Sequence, residues 1–178
     1  MSRLTKAGLQ KHLNHLEKED LIEELAKLFT RFKNVNEYYQ MEFGEDTQLV
    51  VNQYKQKIRK IYFPNKRIRR PRSAASKKLI TEFRKVALYD YDVIDLLLYR
   101  VENSIEFMNA HHYISEAFYK SMQSGFTETL QLIAKNRLFD EFKERCEKCI
   151  WFAGHSGYGL NRSLQQVLSE YFPASKAS

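Results

Sequence analysis

With 178 residues, 29% of them charged and 43% apolar, the chain has the size and composition of one ordinary globular domain. At that length folding buries roughly 70% of the unfolded surface, so no metal or disulfide staple is required. No apolar run approaches the roughly 20 residues of a membrane span, and Cys146 and Cys149, the sole cysteines, exclude a disulfide scaffold.

Met1 to Lys11 lack the apolar stretch of an export signal, and the expected location is a reducing cytoplasm. Leu9, Leu13 and Leu16 then recur at helical spacing, with Thr5 placed to cap the first turn. After a turn at Glu17 to Glu19, one long helix is expected from Leu21 through Leu25, Leu28, Phe29, Phe32 and Val35 to Tyr39, stopped by Gly44. Asp46 or Thr47 opens the next, striped by Val50, Tyr54, Ile58, Ile61 and Tyr62. Pro64 and Pro71 bracket a stretch that cannot be continuous helix, because each lacks an amide donor and restrains the residue before it.

Ser73 marks the start of a fourth helix through Leu79, Phe83 and Val86, and Asp90 or Asp92 that of a fifth through Val93, Leu97, Val101, Ile105 and Met108. Ser115 precedes a sixth, with Phe118, Met122, Phe126, Leu130 and Ile133 on one face. Gly125 within it costs about 1 kcal/mol relative to Ala, which implies a close helix–helix approach. Phe139, Phe142, Cys146, Cys149 and Ile150 form a seventh stripe, and Leu160, Leu164, Val167, Leu168 and Tyr171 an eighth. Nowhere does the two-residue alternation of a half-buried strand appear.

These periods predict an all-α protein of about eight helices in consecutive antiparallel hairpins, closed as a helical bundle or stacked as a short α-solenoid. A single domain is expected over 1–172, with an N-terminal helical hairpin over 1–44, a basic connecting loop over 63–72 and a frayed tail over 173–178.

Leu16-Glu17-Lys18-Glu19-Asp20-Leu21-Ile22-Glu23-Glu24-Leu25 and Phe32-Lys33-Asn34-Val35-Asn36-Glu37-Tyr38-Tyr39 resemble the start of an uncharacterised family of small all-helical bacterial proteins, a domain of unknown function. Tyr99-Arg100-Val101-Glu102, Glu106-Phe107-Met108-Asn109 and Phe118-Tyr119-Lys120-Ser121-Met122 are similar too. The resemblance implies a helical fold over most of the chain and carries no activity or site residues.

Charge is the strongest functional signal. Thirteen of the 29 Lys and Arg fall between Lys55 and Lys85 against one acid, Glu82, so the remainder of the chain is net acidic although the whole is +7. Lys66, Arg67, Arg69, Arg70, Arg72, Lys77 and Lys78 have the composition of a phosphate-binding segment, since guanidinium forks match phosphate oxygens and a helix start adds amides. Tyr62 and Phe63 are placed to stack on bases. Such a segment also fits an acidic protein or an anionic membrane surface, or pairs with the chain's own carboxylates. The best reading is a non-catalytic helical macromolecular-interaction protein, with an RNA- or DNA-binding protein using residues 55–85 as the alternative.

Other motifs point to duller chemistry. Cys146 and Cys149 have the spacing of a zinc half-site that His155, His111 or His112 would have to complete. They also share a stripe with Phe139, Phe142 and Ile150, where a thiol packs as a small hydrophobe. His12 and His15 lack an acidic partner and are expected in solvent. Asp95, Tyr99, Glu102, Glu106 and Asn109 form a polar stripe, read as an outer face or as the wall of a groove for a basic ligand. The loop from Gly154 to Gly159 has no strand before it and no Lys, so it is a turn, not a nucleotide fingerprint. No cofactor, metal or catalytic set is implied.

Overall fold

The structure is a computed structural model that describes residues 3–44, 47–65, 70–155 and 159–172. Those residues form nine helices and no strand: α1 (Lys6–Leu13), α2 (Lys18–Arg31), α3 (Lys33–Phe43), α4 (Gln48–Tyr62), α5 (Ser73–Phe83), α6 (Asp90–His111), α7 (Glu116–Asn136), α8 (Phe139–Gly154) and α9 (Leu160–Tyr171). The all-helical expectation holds. The extra helix comes from one place.

Periodicity alone runs a single helix from Leu21 to Tyr39, but the chain breaks at Phe32. Its backbone is extended (φ −117°, ψ 114°), ending α2 and starting α3. No Gly or Pro marks the position. The break is tertiary: Phe29 packs against Tyr39 across it, rings 6.2 Å apart, while α3 buries Met41 and Glu37 toward α4. The Tyr54 hydroxyl on α4 donates to Glu37 Oε2 at 2.9 Å, which fastens α3 to the rest of the molecule. Beyond that anchor, α1 and α2 contribute no buried residue. Thr5 caps α1 as expected, its Oγ1 accepting the Gly8 amide at 3.1 Å.

The remaining six helices are three antiparallel hairpins, α4–α5, α6–α7 and α8–α9. Tyr54 meets Phe83 and Tyr62 meets Ser76 in the first. Asp90 meets Asn136 and Arg100 meets Ser121 in the second, and Phe139 stacks on Phe172 in the third. Successive hairpins lie side by side, so α4, α6 and α8 run parallel. Contacts run in register, Lys55 to Asp95 and Arg59 to Glu106 on one side, Glu102 to Arg145 and Asn109 to Phe152 on the other. This is the stacked-hairpin version of a helical bundle.

α6 is the central element, with fourteen of its 22 residues buried. Leu96, Leu97 and Leu98 are all buried, which no single amphipathic face would allow. Each such side chain contributes roughly 1.5–3 kcal/mol of transfer free energy. The core continues through Ile58, Phe83, Phe126, Leu130, Phe142 and Leu164. Cys146 and Cys149 belong to it as well. Gly159 opens α9 with φ +69°, a conformation that suits glycine.

A polar cluster crosses this core. Arg100, 3% exposed, donates from Nε to Ser76 Oγ and from Nη2 to Ser121 Oγ, both at 2.9 Å. Ser76 in turn contacts the Tyr62 hydroxyl, which accepts from Ser104. Among the described residues no carboxylate pairs with Arg100.

Candidate functional site

Two surfaces carry the functional possibilities. The first is the outer face of α5. The segment from 63 to 72 connects α4 to α5, and within it Lys66, Arg67 and Arg69 lie outside the described residues. Arg70, Arg72, Lys77 and Lys78 are all exposed. α5 buries Ser76, Ile80 and Phe83 against α4 and α6, and this turns positions 74, 77, 78 and 81 outward. Arg70 and Arg72 line a shallow depression with Phe118 of α7 at the start of α5. Lys78 faces Glu82 one turn on at a loose 4.0 Å. Arg70, Arg72, Lys77 and Lys85 enter no ion pair among the described residues.

Four other cations of the basic stretch are already used, while Lys60 on α4 is exposed and enters no ion pair among the described residues. Lys55 binds Asp95 at 2.6 Å, Arg59 forks onto Glu106, Lys57 approaches Glu37 at 3.9 Å and Arg84 binds Glu128 at 2.9 Å. Of the two expected base-stacking aromatics, Tyr62 is corrected. Tyr62 is wholly buried and hydrogen-bonded to Ser76 and Ser104, because α5 and α6 close over it. Phe63 packs against Phe107, with the Arg59 guanidinium 3.8 Å from its ring centroid. Tyr62 is therefore closed to a partner, whereas Phe63 is half-buried and lines a surface depression with Lys55, Arg59 and Lys60.

The second surface is a groove of about 710 Å³ between α6 and α8. Its apolar lining is Ile105, Ala110, Cys149 and Phe152; its polar lining is Glu102, Glu106, Asn109 and Lys148. The polar stripe of α6 therefore divides its duties. Asp95 is buried and ties α6 to both neighbours, taking Lys55 from α4 and Arg145 from α8 at 2.6 Å each. Arg145 also forks onto Glu102, and the two carboxylates raise its pKa. Further along, Glu102, Glu106 and Asn109 form one wall of the groove. The outer-face reading fails here, since α8 lies alongside.

Two interhelical bridges bound the groove. At one end Arg145 Nε donates to Glu102 Oε1 at 2.9 Å. At the other Asn109 Nδ2 donates to the Phe152 carbonyl at 2.9 Å. That bond fixes the amide orientation, and the opposite atom, Asn109 Oδ1, is buried with no donor among the described residues.

The metal candidates are not brought together. Burial pushes the Cys146 thiol up to about 12 and raises that of Cys149 well above its usual value, with the Glu102 charge a lesser cause in both. Both are therefore protonated at neutral pH. His155 is exposed at the end of α8, its Nδ1 3.2 Å from the Trp151 carbonyl, and His111 and His112 are exposed at the end of α6. Among the described residues no three His, Cys, Asp or Glu side chains converge as a metal site. His12 on α1 and His15 in the turn after it are both exposed.

Fold and surfaces together define a helical-hairpin protein with exposed cations around α5 and a groove between α6 and α8. The chain belongs to a family of unknown function, DUF6155, whose model matches residues 4–153, from α1 almost to the end of α8. No curated protein and no solved structure matches it. No helix among the described residues is long and apolar enough to cross a membrane.

Proposed function

We propose that this protein is a non-catalytic interaction protein that engages nucleic acid through the cationic face of α5. The observation that carries the reading is the partition of the basic stretch: Lys55, Arg59 and Arg84 are spent on interhelical pairs, while Arg70, Arg72, Lys77 and Lys85 remain exposed and unpaired among the described residues. Exposed charges left unpaired attract polyanions at long range. With Tyr62 buried, recognition rests mainly on phosphate contacts. The groove adds no catalyst. Cys149 is held protonated, and Glu106 and Lys148 are each engaged by an opposite charge. Two buried free thiols fit a reducing interior, and the reading places the protein in a bacterial cytoplasm.

Fluorescence anisotropy with labelled single-stranded and duplex oligonucleotides at graded salt tests it. If about four cations meet duplex phosphates, log affinity falls against log salt with a slope of roughly −3.5. Replacing Arg70, Arg72, Lys77 and Lys78 together with Gln is expected to remove binding without altering the helical circular dichroism. Absence of binding by the unmodified protein at low salt overturns the reading, as does undiminished binding by the fourfold variant.

A further inference from the structure

The groove between α6 and α8 is built for a ligand different from the one proposed for α5. We propose that it binds a small hydrophobic ammonium ion: a molecule with an apolar body and one protonated amine.

Size and lining set the class. At about 710 Å³ the groove falls within the roughly 300–1,000 Å³ range of small-molecule sites, with an apolar floor and few polar groups. It is also short. From Glu102 to Ala110, at about 1.5 Å per residue, its wall runs only about 12 Å, and the Arg145–Glu102 and Asn109–Phe152 bridges bound it. A small molecule fits better than a peptide helix.

Two features favour a cation with N–H donors. Two carboxylates, Glu102 and Glu106, stand one turn apart on the same wall, and their arginine partners do not line the groove. Each has accepted two N–H bonds from its arginine and retains lone pairs for another donor. Lys148, the one lining cation, has its ammonium bound by Glu144, which lies outside the groove.

The second is the helix arrangement. Because α6 and α8 run parallel, the negative ends of both helix dipoles fall at the same end of the groove, beside Asn109 and Phe152. The Phe152 ring, 49% exposed, supplies an aromatic face for an ammonium or for the apolar body.

Isothermal titration calorimetry with phenethylammonium and n-hexylammonium, each against its matching alcohol, tests the proposal. Saturable binding of the amines is expected, at least tenfold tighter than the alcohols. Glu106→Gln should weaken amine binding about tenfold, the loss of one charge-assisted contact, and leave the weak alcohol binding unchanged. Ala110→Trp, a plug at an exposed position, should remove amine binding with the circular dichroism unchanged. Should that variant not fold, Glu106→Gln decides. The proposal is overturned if the amines show no saturable binding up to about 10 mM, a free energy near −2.7 kcal/mol. It is equally overturned if the alcohols bind as tightly, if Glu106→Gln changes nothing, or if a folded Ala110→Trp binds as before. Loss of oligonucleotide binding at α5 has no bearing on these outcomes.

Discussion

Gly125 on α7 exists to make room for Arg100 on α6. A Cβ built at position 125 would stand 2.6 Å from Arg100 Nη1 and 3.5 Å from a methyl of Val101. The guanidinium cannot simply step aside, because Ser76 and Ser121 hold it and it is 3% exposed. A helix-weakening residue and a buried charge are thus two halves of one packing solution. Each explains the other.

That pairing predicts a coupled energetic response. Gly125→Ala gains about 1 kcal/mol of helix propensity in isolation. Here the overpacking against Arg100 outweighs it, and a net loss of about 1–3 kcal/mol is expected in chemical denaturation. Arg100→Met replaces a buried guanidinium that has no carboxylate partner among the described residues with an apolar chain of comparable length. Its cost is expected to be small or even reversed in sign. In the double variant the Ala should become neutral or stabilising. Additive effects across the cycle would mean that the two residues do not share space as described.

Much of this was legible in the residue order. The apolar stripes of α4, α7 and α9 named their own core positions, and Gly125 announced a close approach before any partner was known. What escaped depends on the neighbour. The break at Phe32 carries no Gly or Pro, and is set by how Met41 and Glu37 reach α4. The stripe of Asp95, Glu102 and Glu106 looked like a solvent face, because a carboxylate row reads the same whether water or cations lie opposite. Lys55, Arg59 and Arg145 come from other hairpins, and only their stacking order brings them there. For the same reason the basic stretch could be counted from sequence but not divided into spent and free charges.

Asp92, in the first turn of α6, supplies a pH test. It is 7% exposed, and burial, then the nearby Asp95 charge, raises its pKa above the usual carboxylate value, against smaller opposing effects of Gln48 and Lys55. Because the folded state holds this proton more tightly than the unfolded chain, the group favours folding at low pH. That contribution fades as pH climbs through the folded value. At neutral pH the charged Asp92 is therefore a liability. Asp92→Asn is expected to melt a few degrees higher than the unmodified protein at neutral pH, and the gap should close below about pH 4. A lower melting temperature for the variant at pH 7 would show that the helix dipole, and not burial, governs this carboxylate.

The N-terminal arm sets the last expectation. α1 and α2 bury nothing, and Leu9, Ile22 and Leu25 remain exposed on them. Helices of 8 and 14 residues are marginal on their own, so they contribute little to the cohesion of the three hairpins. The structural attachment begins at α3, where Met41 is 2% exposed and Glu37 holds the Tyr54 hydroxyl. Removal of residues 1–31 is expected to leave the melting temperature within about 3 °C, equivalent to about 1 kcal/mol in a protein of this size. Met41→Ala in the full chain should cost about 2–4 kcal/mol, since it deletes a buried side chain at the junction. Cooperative unfolding that collapses on truncation while Met41→Ala is silent would reverse the assignment, making the arm the support and the junction incidental. The exposed apolar positions of α1 and α2 are therefore free of any stabilising duty within the monomer, and substitutions such as Ile22→Ser should leave its melting curve in place.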